Sequence, residues 1–201
     1  MQVKLLTYTG KPELVCAKAM RACRTKQPAS ELELSSEDVA RLIRSARKLE
    51  HFSVLEHASF TFSISGISRV CSHQLVRHRM ASYSQQSHRT VAMTRSDIVV
   101  PPLIHENPQS LTIFKECVNT AFKAFDELGR LGAKLEDARY VLPNALKTNM
   151  TLSMNARELI HFFKLRLAAS AQWEIRVLAQ KMLQEVRKVA PRMFENIEPK
   201  S

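Results

Sequence analysis

The sequence predicts one compact mixed α/β (α+β) domain over residues 1–201. Three observations point there. The chain has 45% hydrophobic and 24% charged residues in 201, a globular composition that fits one core and argues against global disorder. Residues 58–65 alternate Phe60, Phe62 and Ile64 with Ser59, Thr61 and Ser63, the period of a half-buried strand. Residues 109–131 instead carry Leu111, Phe114, Val118, Phe122, Phe125 and Leu128 at helical spacing.

The other elements follow in order. Residues 2–9 read as a strand, Gly10 and Lys11 as a turn, and 12–24 as an amphipathic helix entered through Pro12. A polar loop over 24–36 closes with Ser35 or Ser36 as the N-cap of a helix reaching Lys48. The strand at 58–65 is expected to stop at Gly66, with a helix continuing through Arg77. Residues 80–95 are polar without a clear period and read as a loop. Residues 97–103 read as a short edge strand stopped by Pro101 and Pro102. Gly129 and Gly132 offer the C-terminal cap of the long helix. A shorter helix over 135–142 ends before Pro143, and 147–154 is extended. Asn155 with Glu158 three residues on forms a capping box for a helix to Leu167, and a last helix covers 171–189. There is no repeat, low-complexity tract or interdomain linker.

No apolar run approaches the roughly 18 residues of a membrane span, and the opening residues are too polar for a signal-peptide core. A cytoplasmic protein with no membrane partner is expected. Cys16, Cys23, Cys71 and Cys117 make no CxxC pair and read as reduced thiols, with Cys16 and Cys117 inside apolar helical patterns. Thirty Lys and Arg against nineteen Asp and Glu leave a charge of +11, which concentrates anions without choosing among them. Arg69, Arg77, Arg79, Arg89 and Arg95 are interleaved with His73, His78 and His88, and no lysine joins them. Arginine's planar fork suits bidentate contact with phosphate or carboxylate.

Three constellations carry the candidate chemistry. Gln74 through Arg89 offers arginines, amides and the hydroxyls of Ser82, Ser84 and Ser87, with Arg69, His73 and Arg77 on one helical face. That set makes a phosphate cradle, and a solvated basic loop beside a core helix accounts for the composition equally well. Asn155-Ala156-Arg157-Glu158 with His161 and Arg166 places an anion-seeking helix start beside arginines, although a capped amphipathic helix explains it too. Arg157 and His161 share a face, whereas Arg166 projects roughly opposite Arg157 on a 3.6-residue helix. His51, Glu56 and His57 lack any metal-ligand spacing, so no metal is expected. With four glycines and no GxGxxG, Walker A or GxSxG motif, Rossmann, P-loop and serine-hydrolase sites find no support. Trp173 reads as a packing anchor.

These segments resemble a known family. Arg77-His78-Arg79-x-x-Ser82-x-x-x-x-Ser87-x-Arg89 resembles the RHRxxSxxxxSxR signature of flavin-dependent thymidylate synthases. His51 to His57, Ala138 to Pro143, Met154 to Leu159, and Leu165-Arg166 with Ala171 to Arg176 look like that family's other segments, together covering about residues 50–180. The resemblance implies the family's fold, with a central antiparallel sheet and flanking helices, in a homotetramer whose FAD sites lie between subunits. It implies conversion of dUMP to dTMP with methylene-tetrahydrofolate as carbon donor, NADPH as reductant of the flavin and no cysteine nucleophile. By likeness, Ser53, Arg77, His78, Arg79, Gln85, Asn155, Ala156, Arg157 and His161 contact FAD. Gln74, Arg77, Gln85, Gln86, Ser87, His88, Arg89, Arg139 and Arg166 form the dUMP site, and Arg166 is the catalytic arginine that favours ionisation at uracil N3. Thr90 stands where the family usually has tyrosine, and Ser84 where asparagine is common. The runner-up is a basic nucleic-acid-binding protein using residues 77–95. It lacks the interleaved aromatics of a single-strand binder, with only Tyr83 in the loop.

Overall fold

The computed structural model describes residues 1–199, so Lys200 and Ser201, the end of the expected domain span, lie outside the described residues. It shows a mixed α/β fold in which four antiparallel strands are ordered β1-β2-β4-β3: β1 (Gln2–Tyr8), β2 (Ser59–Ser68), β3 (Ala81–Gln85) and β4 (Lys147–Asn155). Helices α1 (Pro12–Ala22), α2 (Ser36–Lys48), α3 (Arg69–Leu75), α4 (Pro102–Glu106), α5 (Pro108–Arg130), α6 (Leu135–Ala138), α7 (Ala156–Arg166) and α8 (Trp173–Val189) accompany the sheet. Register between β2 and β4 is fixed where Thr61 Oγ1 and Ser153 Oγ lie 2.8 Å apart and where the Ala156 N–H donates to Ala58 O at 2.8 Å.

Two compact units make up the described residues. The first comprises Met1–Ile64, Leu75–Ser84 and the chain from Thr151 onward. Its core is written in the alternation of β2: Phe60, Phe62 and Ile64 are fully buried, as are Leu152 on β4 and Leu159, Phe162 and Phe163 on α7. Phe194 meets Phe60 and Phe163 edge-on, with centroids 5.6 and 5.9 Å apart, the offset geometry that aromatic quadrupoles favour. Ser35 starts α2 by accepting the Asp38 N–H on its side chain at 3.1 Å, as the sequence predicts. Glu13 of α1, buried, accepts the backbone N–H groups of Arg192 and Met193 at 2.6 and 3.0 Å, which anchors the segment after α8.

The second unit comprises Ser65–Gln74 and Gln85–Met150. Val118 and Phe122 of α5 are buried with Leu146, and Met93, Ile98, Phe114, Phe125 and Leu142 pack against them. Asn107 caps α5 through the Ser110 N–H at 2.9 Å, with Pro108 at the first helical position. Gly132, at φ 90°, provides the left-handed residue after α5, while Gly129 remains inside the helix.

Several local expectations are corrected. Gly66 does not end β2. It adopts φ 71° within the strand and donates its N–H to Asn149 Oδ1 at 3.2 Å, a conformation open to glycine without steric cost. Residues 81–85 form β3 rather than loop, because the alternation there is carried by Ala81, Tyr83 and Gln85 against Ser82 and Ser84, which a hydropathy period does not register. Residues 97–103 contribute only an isolated bridge between Ile98 and Leu146, and Pro102 starts α4 instead of stopping a strand. Helix α3 ends at Leu75, so Arg77 lies in the following turn and does not continue its face. Cys117 is exposed beside the buried stripe of α5, whereas Cys16 is fully buried and its thiol is pushed up to about 12 by that burial.

Phe62→Ala should lower the unfolding free energy by about 3–5 kcal/mol in urea melts, as large-to-small core changes do. Thr61→Ala on the opposite face, losing one hydroxyl contact, should cost about 1 kcal/mol.

Candidate functional site

The first unit assembles a largely buried polar chain from His78 and two residues of α7, Glu158 and Arg166, that are remote from it in sequence. Asn155 ends β4 and its Oδ1 accepts the Glu158 N–H at 2.9 Å, which starts α7. The capping box is completed in this direction only. Glu158 turns its carboxylate to His78, whose Nδ1 lies 3.1 Å from Glu158 Oε1. On the other side of the same ring, Arg166 Nε lies 3.0 Å from His78 Nε2. A guanidinium has only N–H groups, so Nε2 accepts and Nδ1 carries the ring proton that Glu158 receives. His78 is therefore neutral with its tautomer fixed at both ends. It is 4% exposed, and Phe162 stands edge-on to it at 4.9 Å with His161 at 6.0 Å. Burial holds the His78 pKa below its ordinary value, Arg166 and His161 add to that, and the Glu158 hydrogen bond opposes it.

Tyr83 holds the turn that presents Arg77, His78 and Arg79. Its hydroxyl sits 2.9 Å from Leu75 O and 2.6 Å from His78 O, where it donates its single proton. Burial, and then the charge of Glu158, raise its pKa. Beside this chain lies a cavity of about 470 Å³ whose lining includes Phe52, Glu56, Met80, Asn155, Arg157, Glu158, His161 and Lys164. Arg157, exposed, pairs with Glu56 at 2.5 Å. Ser53 is exposed in the 3-10 turn Phe52–His57, and Ala156 is buried with its N–H used on Ala58 O. Arg77 and Arg79 are exposed and form no ion pair among the described residues.

The second unit gathers Arg69, His88 and Arg139 around a cavity of about 310 Å³, with Tyr140 and Asn144 on its wall. His88 is buried and lies 3.1 Å from Lys147 O, so Nε2 carries the proton that it donates. Burial first, then the charges of Arg69 and Arg139, depress its pKa. Arg139 donates Nε–H to Glu136 O at 3.0 Å, and Arg89 reaches Glu136 Oε2 at 4.0 Å. Gln85 spans Ser72 Oγ and Thr148 Oγ1, both at 3.1 Å, while Gln86 exchanges two hydrogen bonds with the backbone of Asn149. Ser87 accepts the Arg89 N–H on its hydroxyl and the Thr90 and Val91 N–H groups on its carbonyl, so the loop closes on itself. Gln74 is half-buried near the end of α3.

Arg69, Tyr83 and Glu158 received no site role from sequence. Arg69 was legible as part of the arginine-rich stretch. For Tyr83 and Glu158 the partners decide, and those are not encoded locally. Among the described residues no group of three or more His, Cys, Asp or Glu is placed to hold a metal ion, and no helix is long and apolar enough to cross a membrane.

A family model described as thymidylate synthase complementing protein matches residues 4–192. The chain is 47% identical to a flavin-dependent thymidylate synthase of Geobacter sulfurreducens, across 99% of this chain and 88% of that protein. It is 45% identical to a flavin-dependent thymidylate synthase of Sulfurisphaera tokodaii, across 99% and 78%. A flavin-dependent thymidylate synthase from Helicobacter pylori, solved with FAD and dUMP, superposes with a TM-score of 0.78 at 26% identity, covering 98% of this chain and all of that one. A UMP/dUMP methylase from Streptomyces cacaoi shares the fold with a TM-score of 0.84 at 24% identity, across 96% and 92%.

His78 and His88 both have folded-state pKa values below the unfolded value of about 6.5. Stability from such groups is complete above the unfolded pKa and is lost as pH falls toward the folded one. Urea melts should therefore show lower stability at pH 5.5 than at 7.5. His78→Gln, which keeps one donor and one acceptor but no titration, should flatten part of that slope.

Proposed function

The chain belongs to the flavin-dependent thymidylate synthase family, and we propose that it converts dUMP to dTMP with methylene-tetrahydrofolate as carbon donor and NADPH as reductant of FAD. The observation that carries the catalytic part of this reading is the seating of Arg166 against the buried, neutral His78 of the arginine-rich signature. Uracil is a poor carbon nucleophile. A fixed guanidinium stabilises negative charge developing at the ring's N3 position, electrostatic help typically worth a few kcal/mol. Arg166 is seated by the hydrogen bond that its Nε–H donates to the neutral ring of His78.

In this reading Ser53, Arg77, His78, Arg79, Gln85, Asn155, Ala156, Arg157 and His161 contact FAD. The residues of the cavity beside α7 fit such a group. Arg157, His161, Lys164 and Asn155 offer donors to phosphate oxygens, and Phe52, Met80 and Ile160 offer apolar surface to a ring. Bound flavin supplies the reducing equivalents, which no side chain here provides. Gln74, Arg77, Gln85, Gln86, Ser87, His88, Arg89, Arg139 and Arg166 contact dUMP. The three basic side chains Arg69, His88 and Arg139 around one cavity suit the doubly charged phosphate of a nucleotide.

The reaction needs no thiolate in this reading. Cys16 is buried with a raised pKa, Cys71 is buried, and Cys23 and Cys117 are exposed and line neither cavity. We further propose that the whole chain acts as one catalytic domain in a cytoplasmic homotetramer with neither a membrane nor a nucleic acid as partner. The +11 charge then serves anionic substrates.

Tritium release from C5-labelled dUMP, dependent on folate and NADPH, tests the assignment. Arg166→Ala should abolish release while flavin absorbance is retained, and equal loss of flavin would place Arg166 in cofactor binding instead. Each Cys→Ser variant should keep measurable release, and a folded, flavin-loaded but inactive variant would restore a thiolate mechanism.

A further inference from the structure

One member of the first unit's polar chain, Glu158, lines the cavity beside α7 but is not among the flavin or nucleotide contacts proposed above. Glu158 is 9% exposed, and a carboxylate is seldom buried to that extent without a defined partner. Its place is fixed twice over. Its backbone N–H is bound by Asn155 Oδ1, and it occupies the first turn of α7, where the helix dipole favours negative charge. From there its Oε1 reaches His78 Nδ1 at 3.1 Å.

The consequence runs through the ring. A neutral imidazole carries one proton, on either nitrogen, and the two tautomers present opposite faces to their neighbours. The Glu158 carboxylate has no proton to donate and can only accept, so it selects the tautomer with the proton on Nδ1. That choice leaves a bare lone pair on Nε2, and Arg166 Nε lies 3.0 Å from it. With the proton on Nε2 instead, two N–H groups would face each other and the contact would open. The walls around the ring leave it little other freedom, with Phe162 edge-on at 4.9 Å and the Tyr83 hydroxyl bound at the His78 carbonyl.

We infer that Glu158 is a positioning residue, which by holding the Nδ1 proton of His78 turns Nε2 into the acceptor that fixes the guanidinium of Arg166. This rests on the reading of Arg166 as the catalytic arginine. The role differs from helix capping, since the Asn155 contact uses the backbone of Glu158 and survives any change of its side chain. It also differs from a buried ion pair, because the neutral ring separates the carboxylate from the guanidinium. The requirement is an acceptor at this position, and charge is secondary.

The test compares Glu158→Gln with Glu158→Met in the flavin-loaded protein. The glutamine carbonyl still accepts from Nδ1–H, whereas methionine fills similar volume and accepts nothing useful. Misplacing a catalytic group by about 1 Å costs on the order of a hundredfold, so E158M should lower kcat by about 30- to 100-fold while the glutamine variant stays within about threefold of the parent. Bound flavin should be retained in both. The titratable groups acting on the ring are Glu158, His161 and Arg166 of α7, while Tyr83 of β3 binds the His78 backbone carbonyl, and among the three only Glu158 favours the protonated ring. E158Q should therefore shift the acid limb of the kcat/KM profile to lower pH, which a purely structural residue would not do.

Nitrogen-15 NMR of histidine-labelled protein reads the tautomer directly, without turnover. The parent should show His78 as the Nδ1–H form, and E158M should lose that signature. A parent spectrum with the proton on Nε2 overturns the inference even if E158M fails to fold. So does a methionine variant with parental kcat, or a glutamine variant as impaired as the methionine one. If Arg166→Ala leaves turnover intact while the tautomer still changes in E158M, the fault lies in the catalytic reading of Arg166, and the control of the ring by Glu158 stands.

Discussion

A buried histidine kept neutral is the constraint on which the first unit's polar chemistry depends. His78 must satisfy a carboxylate on one nitrogen and a guanidinium on the other, and only one protonation state does both. Water would compete for each of those hydrogen bonds. At 4% exposure it is largely excluded, so the pair of contacts is stronger than the same groups would make on a surface. Removing either partner leaves a buried polar atom unmatched, which costs more than the bond itself contributes. The chain from Glu158 to Arg166 is rigid for this reason.

That rigidity originates in ordinary packing. Phe162 and Phe163 of α7 fill the core against which the helix docks, and Phe162 also forms one wall of the histidine's site. The same helix thus supplies apolar anchors, the carboxylate near its start and the arginine at its end. Tyr83 adds the complementary restraint by tying the turn after α3 to the carbonyls of Leu75 and His78. In the second unit the logic is electrostatic. Arg69, His88 and Arg139 face one cavity; burial and then the charge of Arg139 lower the proton affinity of Arg69, and burial and then the charges of Arg69 and Arg139 lower that of His88, an arrangement that favours an anionic ligand.

Much of the fold was legible because burial on one face leaves a local record. The alternation of β2 and the stripe of α5 each repeat at the period of their element, and both elements formed where the periods place them. The N-caps at Ser35 and Asn155 were legible for a related reason, since each is completed within three residues. The arginine signature was legible as a pattern of residue types, and full-length likeness to flavin-dependent thymidylate synthases agrees with it. Where the record is weak the sequence misleads. Strand β3 alternates small and polar residues, and Gly66 looks like a strand end although positive φ lets the strand continue.

By itself the sequence determined the mixed α/β class, the principal core faces and the family, because each depends on neighbours in the chain or on recurring residue types. Tertiary structure alone decided which partner each polar side chain found. His78 meets Glu158 across 80 residues and Arg166 across 88, and no local period encodes such distances. Glu158 illustrates the division: its backbone obeys the capping rule readable from sequence, while its carboxylate answers to a ring brought there only by the folding of the chain.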